Sequence, residues 1–76
     1  DDFFTRQGLD VYCTVWLKAE QLDGGTKIKV RTPAGKKAIL KIPAGTQIGQ
    51  RFRLKGLGLT QNGHRGDQYV EIKAVA

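Results

Sequence analysis

Few residues in this chain have the types and spacing that catalysis requires. Cys13 is its one cysteine and His64 its one histidine, so a thiol nucleophile and its base would have to meet from distant parts of the chain. Cys13 lies inside the alternating run Leu9 to Leu17 (LDVYCTVWL), a setting in which a thiol is ordinarily buried and inert. A single cysteine also excludes a disulfide framework and a thiolate cage for zinc. The chain has no serine, which removes serine nucleophiles. None of its carboxylates forms a spaced pair in a glycine-lined or histidine-bearing context suited to acid–base work. Asp67 follows Gly66 and precedes a strand pattern, where its side chain can accept from turn N–H groups. Gly56 and Gly58 share their spacing with the first two glycines of a dinucleotide-binding loop. Gln61 stands at the third position and no helical pattern follows, so nothing would hold a pyrophosphate. This inventory points away from an enzyme and calls for no cofactor and no metal.

The basic residues are the other chemical resource. The chain carries 13 Lys and Arg against 7 Asp and Glu, a formal charge of +6. That balance attracts nucleic acid, anionic membrane or acidic protein. Lys27, Lys29 and Arg31 alternate with apolar residues, as do Arg51, Arg53 and Lys55. The spacing puts two basic rows on solvent faces of strands, where charge also discourages pairing with other chains. Phe52 opposes Arg51 and Arg53, so no aromatic partner for a nucleobase stands on the face of that row. Binding of nucleic acid is expected to be weak and nonspecific at most.

The elements that must position these side chains are strands. Leu9 to Leu17 alternates, with Val11, Cys13, Val15 and Leu17 on one face and Tyr12, Thr14 and Trp16 on the other; period two with β-branched and aromatic residues argues strand. Large apolar groups on both faces suit a central position. Lys18 to Asp23 favours one or two turns of helix, closed by Gly24-Gly25. Thr26 to Thr32 and Lys37 to Ile42 alternate on either side of Pro33-Ala34-Gly35 and read as a hairpin. Pro43-Ala44-Gly45 ends the second of these. Arg51 to Lys55 is a short strand, Gly56 to Leu59 a bend, Gln61 to Gly66 a loop, and Asp67 to Val75 the last strand, with Val70, Ile72 and Ala74 on one face. Five or six short strands with one helical corner give an all-β fold: a small two-layer β-sandwich. Nothing in the pattern suggests a parallel sheet.

At 76 residues the chain is expected to form one domain, residues 1–76. Its 39% hydrophobic content supports a small core rather than disorder. No apolar run approaches the ~18 residues that span a bilayer, and no signal-peptide pattern is present. The chain begins Asp1-Asp2 and contains no Met, so it reads as a piece of something longer. A lone unpaired cysteine fits a reducing cytoplasm.

One stretch is distinctive. Lys41 to Gly58 (KIPAGTQIGQRFRLKGLG) closely resembles a motif of the DnaJ co-chaperone family, of the form (L/K)-I-P-x-G-x-x-x-G-x-x-(F/L/I)-R-(L/I)-x-G-x-G, that occurs in each of two tandem C-terminal domains. Gly66-Asp67-x-Tyr69-Val70 is similar to the family's Gly-Asp-Leu-Tyr-Val strand. Phe4-x-Arg6-x-Gly8-x-Asp10-Val11-Tyr12 resembles the opening of the second domain, and Ala19-Glu20-Gln21-Leu22-x-Gly24-Gly25 its helical corner. Two departures stand out. Gln68 occupies a usually apolar position on the Val70/Ile72 face, and Thr32-Pro33-Ala34-Gly35 replaces a Leu-Asp-Gly type of turn.

The resemblance implies a β-sandwich that helps to bind unfolded client polypeptides and pass them to the 70-kDa heat-shock chaperone. It implies a cytoplasmic full-length homodimer whose arms this domain spaces, while the 76-residue piece alone stays monomeric. In the family the better-attested client groove lies in the first of the paired domains, beside the strand after the helical corner. The matching strand here contains Ile28 and Val30, and with Val70 of the last strand they make up the candidate groove. Their other reading is plain core. The alternative function is a basic β-domain that binds nucleic acid through charge.

Overall fold

The computed structural model describes residues 3–75. Strands β1 (Thr5–Gln7) and β2 (Asp10–Leu17) lead into helix α1 (Ala19–Gly24), then β3 (Thr26–Arg31), β4 (Lys37–Ile42), β5 (Arg51–Leu54), β6 (Thr60–Gln61), β7 (His64–Arg65) and β8 (Gln68–Ala74). Four strands form one sheet in the order β1-β2-β8-β5, while β3-β4 and β6-β7 are separate two-stranded ribbons.

The alternation of β2 translates directly into sides. Val11, Cys13 and Leu17 are buried, and Trp16 on the opposite face is 61% exposed. On β8, Val70 and Ile72 are fully buried beside Gln68. The ribbon of β3 and β4 lies over this face. Val30, Leu40 and Ile42 from the ribbon join Cys13, Leu17, Leu22, Val70 and Ile72 in one core, with Ile28, Phe52 and Leu54 packed at its margin. Apolar burial at ~25 cal/mol per Å² is the force that holds two such layers together, so the expected all-β, two-layer architecture with one helical corner is present.

Helix α1 turns the corner between the layers. The Lys18 N–H donates to Gln21 Oε1 at 2.9 Å, closing the first turn, and Leu22 drops into the core. The chain leaves at Gly25 with φ of +81°. A Cβ there would meet Ala44 N and Ile42 O at 3.0 Å, so glycine serves both the reversed dihedral and the close approach. The Gly45 N–H then donates to Leu22 O, tying the turn after β4 to the end of the helix.

Two expectations need correction. The β2–β8 pair is parallel, with Val11 opposite Gln68 and Leu17 opposite Ala74, although no parallel pairing was expected. Alternation reports which face a side chain takes and is blind to strand direction. A parallel pair needs a long crossover, and here the helix, the β3-β4 ribbon, β5 and the β6-β7 hairpin together supply it. The segment 61–66, expected to be loop, forms most of the miniature β6-β7 hairpin, with Thr60 opposite Arg65 and Gln61 opposite His64. Asn62 and Gly63 carry φ of +50° and +80°, the dihedral pair that Asn-Gly supplies to a two-residue hairpin turn.

Candidate functional site

The ribbon of β3 and β4 has open edges. The Thr32 N–H donates to Lys36 O at 2.9 Å, which fixes that pair as hydrogen-bonded. Alternation along an antiparallel ladder then makes Val30–Ala38, Ile28–Leu40 and Thr26–Ile42 hydrogen-bonded too, and turns the N–H and C=O groups of Lys27, Lys29 and Arg31 outward. The Arg31 carbonyl is taken: it accepts from Gln68 Nε2 at 2.8 Å. Lys27 and Lys29 keep outward backbone groups that no other strand pairs among the described residues. This is a short edge of the kind that accepts an extended peptide as an added strand.

The three side chains expected to line a client groove sit at different depths. Ile28 is half-buried at the rim of the core. Val30 is 2% and Val70 0% exposed, both within the core cluster. The two valines hold the ribbon against the sheet and present no surface of their own. Gln68 performs a related task. It is fully buried, and its amide donates to the Arg31 carbonyl and, at 3.4 Å, to Cys13 Sγ, bridging the two layers where an apolar residue would only fill space. Among the described residues its Oε1 has no hydrogen-bond partner.

The opposite face of the four-stranded sheet carries a feature the strand-by-strand reading missed. Parallel pairing sets Tyr12 beside Tyr69, and their rings stack with centroids 5.0 Å apart and planes 14° from parallel. Lys73 lies 5.9 Å from the ring of Trp16. Tyr12, Trp16 and Tyr69, with Phe3, Thr5, Arg51 and Glu71, border a hollow of about 550 Å³. The signal lay in two alternating runs whose aromatics share a face only once the pairing is known.

Gly58, at the end of the distinctive stretch, and Gly66 explain themselves at a junction of three backbones. The Gly58 N–H donates to Gly66 O at 3.0 Å, the Leu59 N–H to Leu9 O at 2.8 Å, and the Gly66 N–H to Leu59 O at 2.8 Å. A Cβ on Gly58 would stand 2.6 Å from Asp67 O, Gly66 C and Leu9 O, and one on Gly66 would lie 2.8 Å from Asp10 N and closer still to Leu9. Side chains are excluded there by main chain on every side. Asp67 locks the same junction. Its Oδ1 accepts from the Gly56 N–H at 2.8 Å, and its Oδ2 accepts from Arg53 Nε at 2.7 Å and Nη2 at 2.6 Å. The Gly56 N–H and the Arg53 guanidinium hold the carboxyl below its usual range, against the opposing effect of partial desolvation.

Cys13 and His64 do not form a catalytic pair. The thiol is buried, and burial pushes its pKa up, with the Gln68 amide working in the other direction. His64 is exposed on β7. Among the described residues no three His, Cys, Asp or Glu side chains gather as a metal would need, and no helix is long and apolar enough to cross a membrane.

Comparison with known proteins bears on the same residues. The model of the DnaJ C terminal domain family matches residues 1–76. A chaperone protein DnaJ from Shouchella clausii is 48% identical over 77 residues, covering 97% of this chain and 20% of the relative. One from Geobacillus thermodenitrificans is 49% identical over 76 residues, covering 97% and 20%. One from Gluconobacter oxydans is 40% identical over 73 residues, covering 93% and 19%. The chain therefore spans about a fifth of the length of these relatives.

Proposed function

The chain belongs to the DnaJ C-terminal domain family, and from that premise we propose that it is a chaperone module that holds extended segments of unfolded client polypeptides. In the longer protein it passes them to the 70-kDa heat-shock chaperone. Residues 1–76 act as one domain of a cytoplasmic homodimer, spacing its arms, and the chain by itself is monomeric. The observation that carries the reading is the open β3 edge at Lys27 and Lys29, beside the half-buried Ile28. An added strand draws affinity from main-chain hydrogen bonds, which every client sequence can make, and selectivity from side-chain contacts at alternate positions. In this reading Val30 and Val70 are the floor on which the edge rests rather than its lining.

Lys29→Pro tests the reading. The Lys29 N–H points away from β4, so proline leaves the ladder intact while removing an outward donor and placing its ring on the edge. Peptide affinity, followed by anisotropy of a labelled extended peptide, falls tenfold or more in Lys29→Pro and stays near the parent value in Lys29→Gln. Equal binding by parent and Lys29→Pro rules this edge out. No binding by the unmodified chain leaves it the spacing role alone.

A further inference from the structure

The whole of the +6 charge resides on one ribbon. The segment 26–42 holds Lys27, Lys29, Arg31, Lys36, Lys37 and Lys41 and no carboxylate. The seven remaining cations equal the seven carboxylates of the chain in number. All six ribbon cations are exposed, and the five lysines make no ion pair among the described residues.

Their arrangement works against the fold. Lys27 stands directly opposite Lys41, and Arg31 opposite Lys37. Both are non-hydrogen-bonded pairs, where Cα atoms approach to ~4.5 Å and like charges destabilise. Packing does not require them, because Val30, Leu40 and Ile42 bury the other face. Protection of an edge needs a charge here and there, not two rows free of carboxylates.

The two rows define what fits them. Strands ~4.8 Å apart give a ribbon narrow enough to enter a major groove ~12 Å wide, and repulsion splays the lysines outward toward both phosphate walls. Lysine is a point charge on a flexible stem, suited to phosphates without sequence preference. The one aromatic ring against these cations among the described residues, Phe3, is half-buried and already covered by the Arg31 guanidinium at 5.5 Å. A single stacking partner at one end of a row disfavours a single strand. A single acidic peptide would occupy one row and leave the other unmet. A bilayer would gain little from Ile39, the one large apolar side chain exposed on the described ribbon. We propose that the outer face of the β3-β4 ribbon docks on the phosphate backbone of duplex nucleic acid, as a binding activity separate from client capture.

The test is anisotropy of a labelled duplex of ~20 base pairs titrated with the 76-residue chain across a range of salt. Four phosphate contacts give a log–log slope of about −3.6, an affinity loss of about 150-fold between ~50 and ~200 mM salt. Lys27→Gln/Lys41→Gln weakens binding at low salt more than tenfold and reduces the slope by about 1.8, while the domain melts at or above the parent temperature because a like-charge pair has gone. Lys55→Gln/Arg65→Gln removes the same charge outside the ribbon and weakens binding less than threefold. Equal losses in the two variants overturn the proposal, as does no duplex binding at ~20 mM salt. Tighter binding to polyglutamate or to vesicles containing anionic lipid overturns it as well.

Discussion

Replacing Gly66 with alanine probes the three-backbone junction that Gly58 and Gly66 create. The added Cβ would lie 2.8 Å from Asp10 N and nearer still to Leu9, against an ordinary contact of 3.4 Å or more. No flexible side chain is there to yield, so the turn at Leu9 and the segment at Gly66 must part by an ångström or so. That separation strains the bonds that join the segments: Gly58 to Gly66, Leu59 to Leu9, and Gly66 to Leu59. At about 1 kcal/mol net for each bond lost, and with some overpacking left behind, the cost is about 2–4 kcal/mol. A domain of this size has a total stability of about 4–11 kcal/mol. Each kcal/mol moves the midpoint of a small domain by about 4–8 °C, so melting falls by about 10–30 °C. Gly63→Ala is the internal comparison. Its Cβ meets nothing within 4 Å, and only its φ of +80° is strained, at about 1–2 kcal/mol. Thermal and urea unfolding by circular dichroism measures both. If Gly66→Ala is as stable as Gly63→Ala, or more so, the close-approach reasoning is refuted.

Three further outcomes follow from the same structure. Val30→Thr buries a hydroxyl in the core and lowers stability by about 1–3 kcal/mol; a thermal scan beside a peptide titration distinguishes this from loss of binding with melting unchanged. Asp67 has a lowered pKa in the fold, so its stabilising contribution is complete above the ordinary aspartate value of about 3.9 and is lost as pH falls through the lower, folded value. Asp67→Asn lacks that contribution, so urea midpoints of parent and variant differ at neutral pH and converge in acid. The Cys13 thiol is buried with a raised pKa, so alkylation of the native chain is much slower than in urea, and an equal rate would place the thiol at the surface.

How much of this was legible in the sequence depended on the range of the signal. The strand β2, the helical corner and the β3-β4 hairpin are encoded by period, glycine and proline within a few residues, and they stand where the pattern put them. The direction of β8 relative to β2 is set by a crossover of about fifty residues that leaves no local periodicity. The stacked Tyr12–Tyr69 face stayed hidden for the same reason. The Asn62-Gly63 hairpin was missed because strands of two residues are too short for alternation to register. Gln68, at a usually apolar position, is fully buried and gives its amide to the Arg31 carbonyl; whether a polar side chain on a core face finds a partner depends on the other layer. The Ile28, Val30 and Val70 set mixed rim with floor, since alternation tells inward from outward and not how deep inward lies.

Client capture by strand addition is tested most directly by amide exchange of the 76-residue chain, free and saturated with an extended unfolded peptide. The account predicts that the Lys27 and Lys29 amides, which point away from β4, exchange quickly in the free chain and become protected in the complex. Their inward neighbours Ile28 and Val30 are protected in both states. Protection that appears instead along Tyr12, Trp16 and Tyr69, with Lys27 and Lys29 still exchanging freely, contradicts the account.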